Sequence, residues 1–359
     1  MKADNEAQVV EAVRTARAAR RTLEIVSGGT RRGFGRPARC DDVLDLSGLG
    51  GIVNYEPEEL ILTVKPGTPL AEIDAALAAK NQRLGFEPQD WRALLGSRGT
   101  PTIGGAISSG ADGSAAMRFG RARDHLLGFR AVNGFGEAYK GGGRVVKNVT
   151  GFDLPKLMCG AMGTLGPLTE LTFRVFPKAQ AVEHFAVRGL DDNDAFALLR
   201  RVWSSPLDAT GLAHAHGVAS VRLEGAPAAL AEKTAMLRAI APRDTVEDDG
   251  AAFARIVPFE DTTSDVWRID MPPSQAADFP LAGASDWAGA RRWVLAAPGS
   301  ARPEVERPNA RATLVRASEP ARRDMPVFPV PDAALERLNR AVKAAFDPLG
   351  LFNPGRMSL

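Results

Sequence analysis

Cysteine, histidine and tyrosine are scarce: the 359-residue chain contains two, four and two of them respectively. Cys40 and Cys159 lie far apart, form no C-x-x-C pair and build no disulfide framework, so free thiols are expected. An iron–sulfur cluster normally takes four thiolates, so this chain holds none alone, and electrons it handles must leave through a partner. An excess of one charge is also lacking. A net charge of +2, with 45 basic and 43 acidic residues interspersed, excludes the basic stripe that nucleic-acid binding requires. No run of about 18 uncharged apolar residues occurs, and MKADNEAQVVEAVRTARAARR has no apolar stretch after its lysine. A cytoplasmic protein is therefore expected, at most peripheral to a membrane.

Glycine is plentiful and unevenly spread. In SGGTRRGFGRPA, residues 27–38, the run Gly33-Phe-Gly35-Arg-Pro-Ala38 matches the dinucleotide fingerprint G-x-G-x-x-A. The strand Thr22–Val26 precedes it, but Pro37 stands where the fingerprint needs the start of a helix, and Val43–Leu46 alternates like another strand. A Rossmann loop and a nicotinamide enzyme are thereby disfavoured. GSRGTPTIGGAISSGADG, residues 96–113, is expected to make no packed helix of its own. Ile103 and Ile107 are core-type anchors unlike those of a flexible linker, so the segment reads as a backbone-lined cradle, with linker as the competing reading. Glycines there let main-chain N–H groups approach an anion closely.

Around these loops the patterning predicts an amphipathic helix over 6–20, strands over 52–55 and 60–64, and a helix over 69–80 capped by Thr68. A short helix over 154–159 and a strand over 168–176 follow. After Lys178 the glycine loops stop; the strand Val218–Leu223 and the Ala-rich helix Pro227–Ile240 belong to a separate domain. A final helix, capped by Asp332, runs to Phe346 and leads into DPLGLFNPGRMSL.

Several polar residues carry competing readings. His214 and His216 have the i, i+2 spacing that places two imidazoles on one face of a strand, but two histidines are insufficient ligands and no metal is assigned. His125 is either a packed, hydrogen-bonded support residue or a group at a ligand site. Asp153 is expected to cap a helix; Lys147 is either a surface cation or a charge at a ligand site. Arg222 is either an anion contact or a surface-strand arginine. Trp203, Trp267 and Trp293 are core or interface residues.

The segments IVSGGTRRGFG, GTPTIGGAISSGADG with FGRARDHLLG, KNVTGFDLPKLMCGAMGTLGPLTE and FDPLGLFNPGRM, in that order and spacing, carry a family resemblance. The chain resembles the vanillyl-alcohol oxidase and p-cresol methylhydroxylase flavoproteins, in their 2-hydroxy-acid branch. Within that branch it is similar to the E-type FAD-binding subunits of bacterial glycolate oxidases. The longer catalytic D-type subunits carry an H-x-G-D-G-N-x-H element that is missing here.

The resemblance implies an α+β fold. A two-subdomain FAD-binding domain of the p-cresol methylhydroxylase (PCMH) type over 1–178 is followed by an α/β cap over 179–318, and a C-terminal segment over 319–359 returns to the FAD domain. It further implies that Ser27, Gly28, Gly29, Thr30, Arg31 and Gly33 bend around the FAD pyrophosphate, with Arg31 or Arg32 adding charge. Thr102, Gly104, Gly105, Ser108, Ser109 and Gly113 would line the ribityl chain and flavin, and Pro66 and Gly67 belong to the implied cofactor-binding set. Lys147, Gly163, Leu168 and Asn353 complete the implied set, with Leu168 near the adenine. Thr30 stands where relatives with covalent flavin have histidine, so noncovalent FAD is expected. The implied activity is oxidation of a small 2-hydroxy acid, glycolate or D-lactate, within a complex containing a catalytic FAD subunit and an iron–sulfur subunit. No catalytic base is identified, so an assembly subunit with little catalysis of its own and a stand-alone alcohol or sugar oxidase remain as alternatives.

Overall fold

The computed structural model describes residues 1–143, 152–241, 245–248, 250, 253, 256–257, 263–276, 283–305 and 309–357. They divide into two compact units: Met1–Asp112 with Gly120–Pro177 and Arg322–Leu359, and Gly113–Phe119 with Lys178–Ala321.

The first unit starts with helix α1 (Glu6–Ala19), capped by Asn5, whose side chain accepts the Gln8 N–H at 3.0 Å. Val9, Val13 and Ala16 bury its apolar stripe. Strands β1 (Leu23–Val26) and β2 (Asp42–Asp45) pair in parallel, joined by turns and bends with no helix between them. The Rossmann alternative fails in space as it does in sequence. β3 (Ile52–Glu56), β4 (Ile61–Val64), β6 (Leu126–Val132), β7 (Ala138–Gly142) and β8 (Leu168–Arg174) form an antiparallel sheet in the order β3-β4-β8-β6-β7. A two-residue strand β5 (Gln82–Arg83) pairs with β9 (Phe176–Pro177).

Two local expectations need correction. Helix α2 (Leu70–Ala78) starts after Pro69 without a side-chain cap. The Thr68 hydroxyl instead accepts the Gly51 N–H at 3.0 Å and donates to the Lys65 carbonyl at 2.7 Å, tying a turn together. The glycine-rich segment does contain a packed helix. After the short helix α3 (Arg92–Leu95), α4 spans Ile103–Ser109 and ends at left-handed Gly110. Its glycines cost about 1 kcal/mol each relative to alanine, but Ile103 and Ile107, one turn apart, are completely buried and outweigh that.

The segment Asp347–Arg356 is tied into the same unit. Leu23 N–H donates to the Leu351 carbonyl at 2.7 Å and Asn353 N–H to the Leu23 carbonyl at 3.0 Å. Buried Asp347 accepts from the Leu351 and Phe352 N–H groups at 2.9 and 2.8 Å and from Lys343 Nζ at 2.6 Å. The preceding helix, Ala333–Phe346, is capped by Asp332 as its sequence indicates.

The second unit is an eight-stranded antiparallel sheet. Its strands are β10 (Ala181–Arg188), β11 (Gly211–Ala215), β12 (Val218–Gly225), β13 (Val246–Asp248), β14 (Asp265–Asp270), β15 (Ala284–Asp286), β16 (Arg291–Ala296) and β17 (Arg311–Arg316). Helices Asp192–Trp203 and Pro227–Ile240 bury Phe196, Leu199, Leu230 and Leu237 with Phe185, Leu212 and Val221 of the sheet. Trp267 and Trp293 are core residues, and Trp203 is partly exposed. The division differs from the sequence boundaries at Gly113–Phe119, for a local reason. Trp287 Nε1 donates to the Gly113 carbonyl at 3.1 Å, Ser114 Oγ to Asp286 at 2.7 Å, and Arg118 pairs with Asp208 at 3.0 Å.

Near the start of α1, Glu6 is held by Arg130 at 2.6 and 3.0 Å and by the Thr169 hydroxyl at 2.6 Å. The Arg130 hydrogen bonds, foremost, keep its carboxyl below the ordinary value of 4.5. A lowered folded-state value means stabilisation that is present above 4.5 and lost as pH falls through that lower value. Glu6→Gln is therefore expected to cost about 1 kcal/mol in urea unfolding near neutral pH. The gap to the parent should close in acid; a gap unchanged at about pH 3 would contradict this.

Candidate flavin site

A cleft lies within the first unit, lined by the end of β1, the loop Ser27–Arg32, Pro66, Thr102, α4, the stretch Met162–Leu168, Asn353 and Arg356. Its shape follows from backbone packed on backbone. A Cβ on Gly28 would lie 1.7 Å from the Thr100 carbonyl oxygen, and one on Gly104 would lie 2.7 Å from both Cβ and O of Pro66. Gly99, at φ +112°, faces the Gly28 carbonyl, with 2.3 Å to its would-be Cβ. Only glycine fits these points.

The loop is consequently pinned with its donors unspent. Among the described residues, the N–H groups of Gly28, Gly29 and Thr30 donate to no protein acceptor. Thr102 Oγ1 donates to Ser27 Oγ at 3.0 Å and accepts the Gly105 N–H at 3.3 Å, joining the loop to the start of α4. The Thr30 carbonyl accepts Ser97 Oγ at 2.9 Å. Among the described residues, no lining side chain is histidine, cysteine or tyrosine. Burial pushes the thiols of Cys40 and Cys159, neither of which lines the cleft, up to about 11 and about 12. Both are therefore protonated and unreactive at neutral pH.

Charge in the cleft is asymmetric. Arg32 makes a two-pronged bond to Glu24, with Nε at 2.9 Å from Oε1. Arg31 donates Nη2 to the Gln89 carbonyl and lies 4.2 Å over the Trp91 ring, while its Nη1 is buried with no acceptor. Arg356 donates Nη2 to the carbonyls of Arg31 at 3.2 Å and Arg32 at 2.9 Å. Burial draws Arg31 down to about 9 and Arg356 down to about 10, so both stay cationic at neutral pH. Unspent main-chain donors, close-packed glycines and an unmatched buried guanidinium suit the diphosphate of a dinucleotide.

Of the residues the sequence points to, the cleft gathers Ser27, Gly28, Gly29, Thr30, Arg31, Pro66, Thr102, Gly104, Gly105, Ser108, Ser109, Gly163, Leu168 and Asn353. Gly33, Gly67 and Gly113 are not on its lining. Gly33 has Leu95 beside it, Gly67 is wedged against the Leu46 and Leu49 carbonyls, and Gly113 belongs to the other unit. Lys147 lies outside the described residues. Asn353 lines the cleft with its side chain already engaged: Oδ1 accepts the Ile25 N–H at 2.9 Å and Nδ2 donates to the Met162 carbonyl at 2.7 Å. Sequence reasoning missed Glu24, Met162, Gly166 and Arg356. For Arg356 the signal was present, three residues beyond Asn353 in the quoted FNPGRM motif.

The remaining candidates resolve elsewhere. His214 is on β11, but His216 follows it in a turn at φ 52°, so the pair does not share a strand face. Among the described residues no group of three metal-binding side chains occurs. His125 is packed between Phe86 and Phe176, with Nε2 3.1 Å from the Gly120 carbonyl, which is the support role. Asp153 caps its helix by accepting the Lys156 N–H at 3.4 Å. Arg222 is largely buried, not a surface-strand arginine; it donates Nη2 to the Thr210 carbonyl at 2.8 Å and sits 3.4 Å from Glu224. No described helix is long and apolar enough to cross a membrane.

Comparison with known proteins agrees with this geometry. Residues 1–142 match the family described as FAD binding domain. Glycolate oxidase subunit GlcE of Escherichia coli strain K12 is 32% identical over 343 residues, covering 94% of this chain and 93% of that one. D-2-hydroxyglutarate dehydrogenase of Xanthomonas citri pv. viticola is 34% identical over 156 residues, 43% of this chain but only 32% of its own length. Substrate-bound p-cresol methylhydroxylase superposes with a TM-score of 0.70 over 100% of this chain and 88% of its own, at 14% identity, a likeness of fold alone. Fold and sequence together define an FAD-binding flavoprotein of the PCMH type, within the FAD-linked oxidoreductases. More narrowly, the chain belongs to the family of the glycolate oxidase subunit GlcE.

Two glycines separate space from strain. Gly28→Ala must displace the Thr100 backbone and is expected to abolish flavin retention and lower the melting temperature markedly. Gly29→Ala, at φ +74° with nothing within 4 Å, meets strain alone and should cost about 1 kcal/mol. The flavin-to-protein absorbance ratio and a thermal melt distinguish them; equal effects would refute the packing argument.

Proposed function

We propose that this chain is the FAD-binding subunit of a complex that oxidises a small 2-hydroxy acid, glycolate or D-lactate, to the 2-oxo acid and delivers the electrons to an iron–sulfur subunit. The observation that carries the reading is the near full-length match to GlcE, which spans both compact units and not the flavin segment alone. When bound, the flavin supplies the acceptor for hydride from the substrate carbon.

In this reading the Gly28–Thr30 N–H groups and the arginines hold the diphosphate. α4 presents Gly104, Gly105 and Ser108 to the adjoining part of the cofactor, and Leu168 meets the adenine. Thr30 cannot form the histidyl link to the flavin ring, and the lack of histidine, cysteine and tyrosine among the described lining residues supports noncovalent attachment. Among the described residues, the cleft side chains offer no carboxylate or imidazole but Glu24, which Arg32 occupies. Proton removal from the hydroxyl is therefore assigned to the assembled complex, with a second flavin subunit as the catalytic partner.

Two measurements check this. Acid precipitation should release the yellow colour into the supernatant, and colour kept in the pellet would refute noncovalent binding. Under argon, glycolate should bleach the flavin slowly or not at all in the isolated chain and rapidly once the partner subunits are added. Full, fast bleaching of the chain alone would overturn the auxiliary role, and peroxide production in air would favour a stand-alone oxidase.

A further inference from the structure

We infer that Arg356, carried on the segment Asp347–Arg356, is a diphosphate-binding residue that acts with Arg31 as the second cation for the FAD. The assignment rests on FAD occupying the cleft, and not on which hydroxy acid is oxidised.

The argument is one of charge and reach. Among the described residues, three arginines and one glutamate line the cleft, leaving two positive charges in excess. Arg32 and Glu24 cancel through their two-pronged bond, so the excess resides on Arg31 and Arg356. A diphosphate diester carries two negative charges at neutral pH, so the two sets match. Both guanidinium groups retain donors. Arg31 Nη1 is buried without an acceptor, and only Nη2 of Arg356 donates to protein among the described residues. Arg356 is fastened to the carbonyls of Arg31 and Arg32, in the same loop whose N–H groups at Gly28–Thr30 are unspent.

The surroundings are arranged to admit this side chain. Gly35, at φ +87°, leaves the space in which a Cβ would come within 3.2 Å of Arg356 Nε, so this glycine has a purpose outside the dinucleotide fingerprint it mimics. Asp347 folds the turn that precedes Arg356, and Asn353 locks it to β1 and to the Met162 carbonyl. The guanidinium therefore reaches the cleft on a braced backbone, which lowers the entropy cost of meeting an anion.

The test titrates the full-length apoprotein with FAD, ADP and adenosine. In Arg356→Gln, affinity for FAD and ADP should fall about ten- to hundredfold, the loss of a charge-assisted hydrogen bond, while adenosine binding stays within about twofold. Arg356→Lys should fall between, since an ammonium keeps the charge without the fork. FAD affinity unchanged in Arg356→Gln would overturn the assignment, and so would equal weakening of ADP and adenosine, which marks a merely structural residue. Should Arg356→Gln fail to fold by circular dichroism, the lysine variant decides alone: no loss selective for ADP over adenosine refutes the proposal. A parent protein that binds neither FAD nor ADP would overturn the flavin assignment of the cleft as well.

Discussion

The site depends on a place where two stretches of main chain touch with no side chain between them. Gly28 lies against Thr100, and Gly99 lies against Gly28. This contact holds the loop after β1 beside the segment that starts α4, so the Ser27 and Thr102 hydroxyls meet and the N–H groups of Gly28–Thr30 are left pointing away from protein acceptors. Gly104 on Pro66 repeats the device one turn further along. A larger residue at either point would move backbone against backbone, and neither strand β1 nor the helix anchored by Ile103 and Ile107 can yield without disturbing a close-packed core.

A second constraint spans the chain. Asn353 lies 328 residues from Ile25 yet spends both ends of its amide on positioning it and Met162. Each end of the amide makes one hydrogen bond, so Asn353 braces the lining while, among the described residues, one N–H and one oxygen lone pair stay uncommitted. Asp347 performs the same service for the turn before it, with Lys343 as counter-ion and further donor to the Thr164 and Phe352 carbonyls at 2.6 and 3.2 Å. Buried polar networks of this kind specify one arrangement because every member has a partner, and a missing partner leaves a desolvated group behind. The cleft is thus assembled from β1, α4 and the Asp347–Arg356 segment, which are remote in sequence.

This remoteness sets what could be read from the sequence. Elements with local signals were legible: α1, the strands through β4, the helix Pro227–Ile240 and the Asp332 cap all follow from periodicity and cap chemistry. The cleft was legible as segments, because glycine runs announce close approach. Individual roles were less so. Thr68 has the residue type of a helix cap, yet a neighbouring turn claims its hydroxyl; α4 reads as loop because glycine propensity is visible locally and the burial of Ile103 and Ile107 is not. Gly113 follows the flavin segment in sequence but is held by Trp287, which lies 174 residues away. Arg356 belongs to a motif whose pattern is plain, while its direction depends on contacts with Asp347, Asn353 and Gly35.

The charges of the cleft link the fold to its cofactor. Burying a guanidinium against carbonyls and an aromatic ring, with no carboxylate in hydrogen-bond contact, carries a desolvation penalty that hydrogen bonds to neutral acceptors offset only in part. Arg31 and Arg356 both bear that penalty, as the downward pull of burial on each shows. An anion bound between the loop and the Asp347–Arg356 segment relieves it in the folded state and has no counterpart in the unfolded chain, so anion binding adds to stability as ligand concentration rises above its dissociation constant. The same two arginines that make the empty cleft unfavourable make the filled one specific. An uncharged flavin lacking the diphosphate leaves their donors unmet, whereas a dinucleotide satisfies them and the unspent N–H groups of Gly28–Thr30 together.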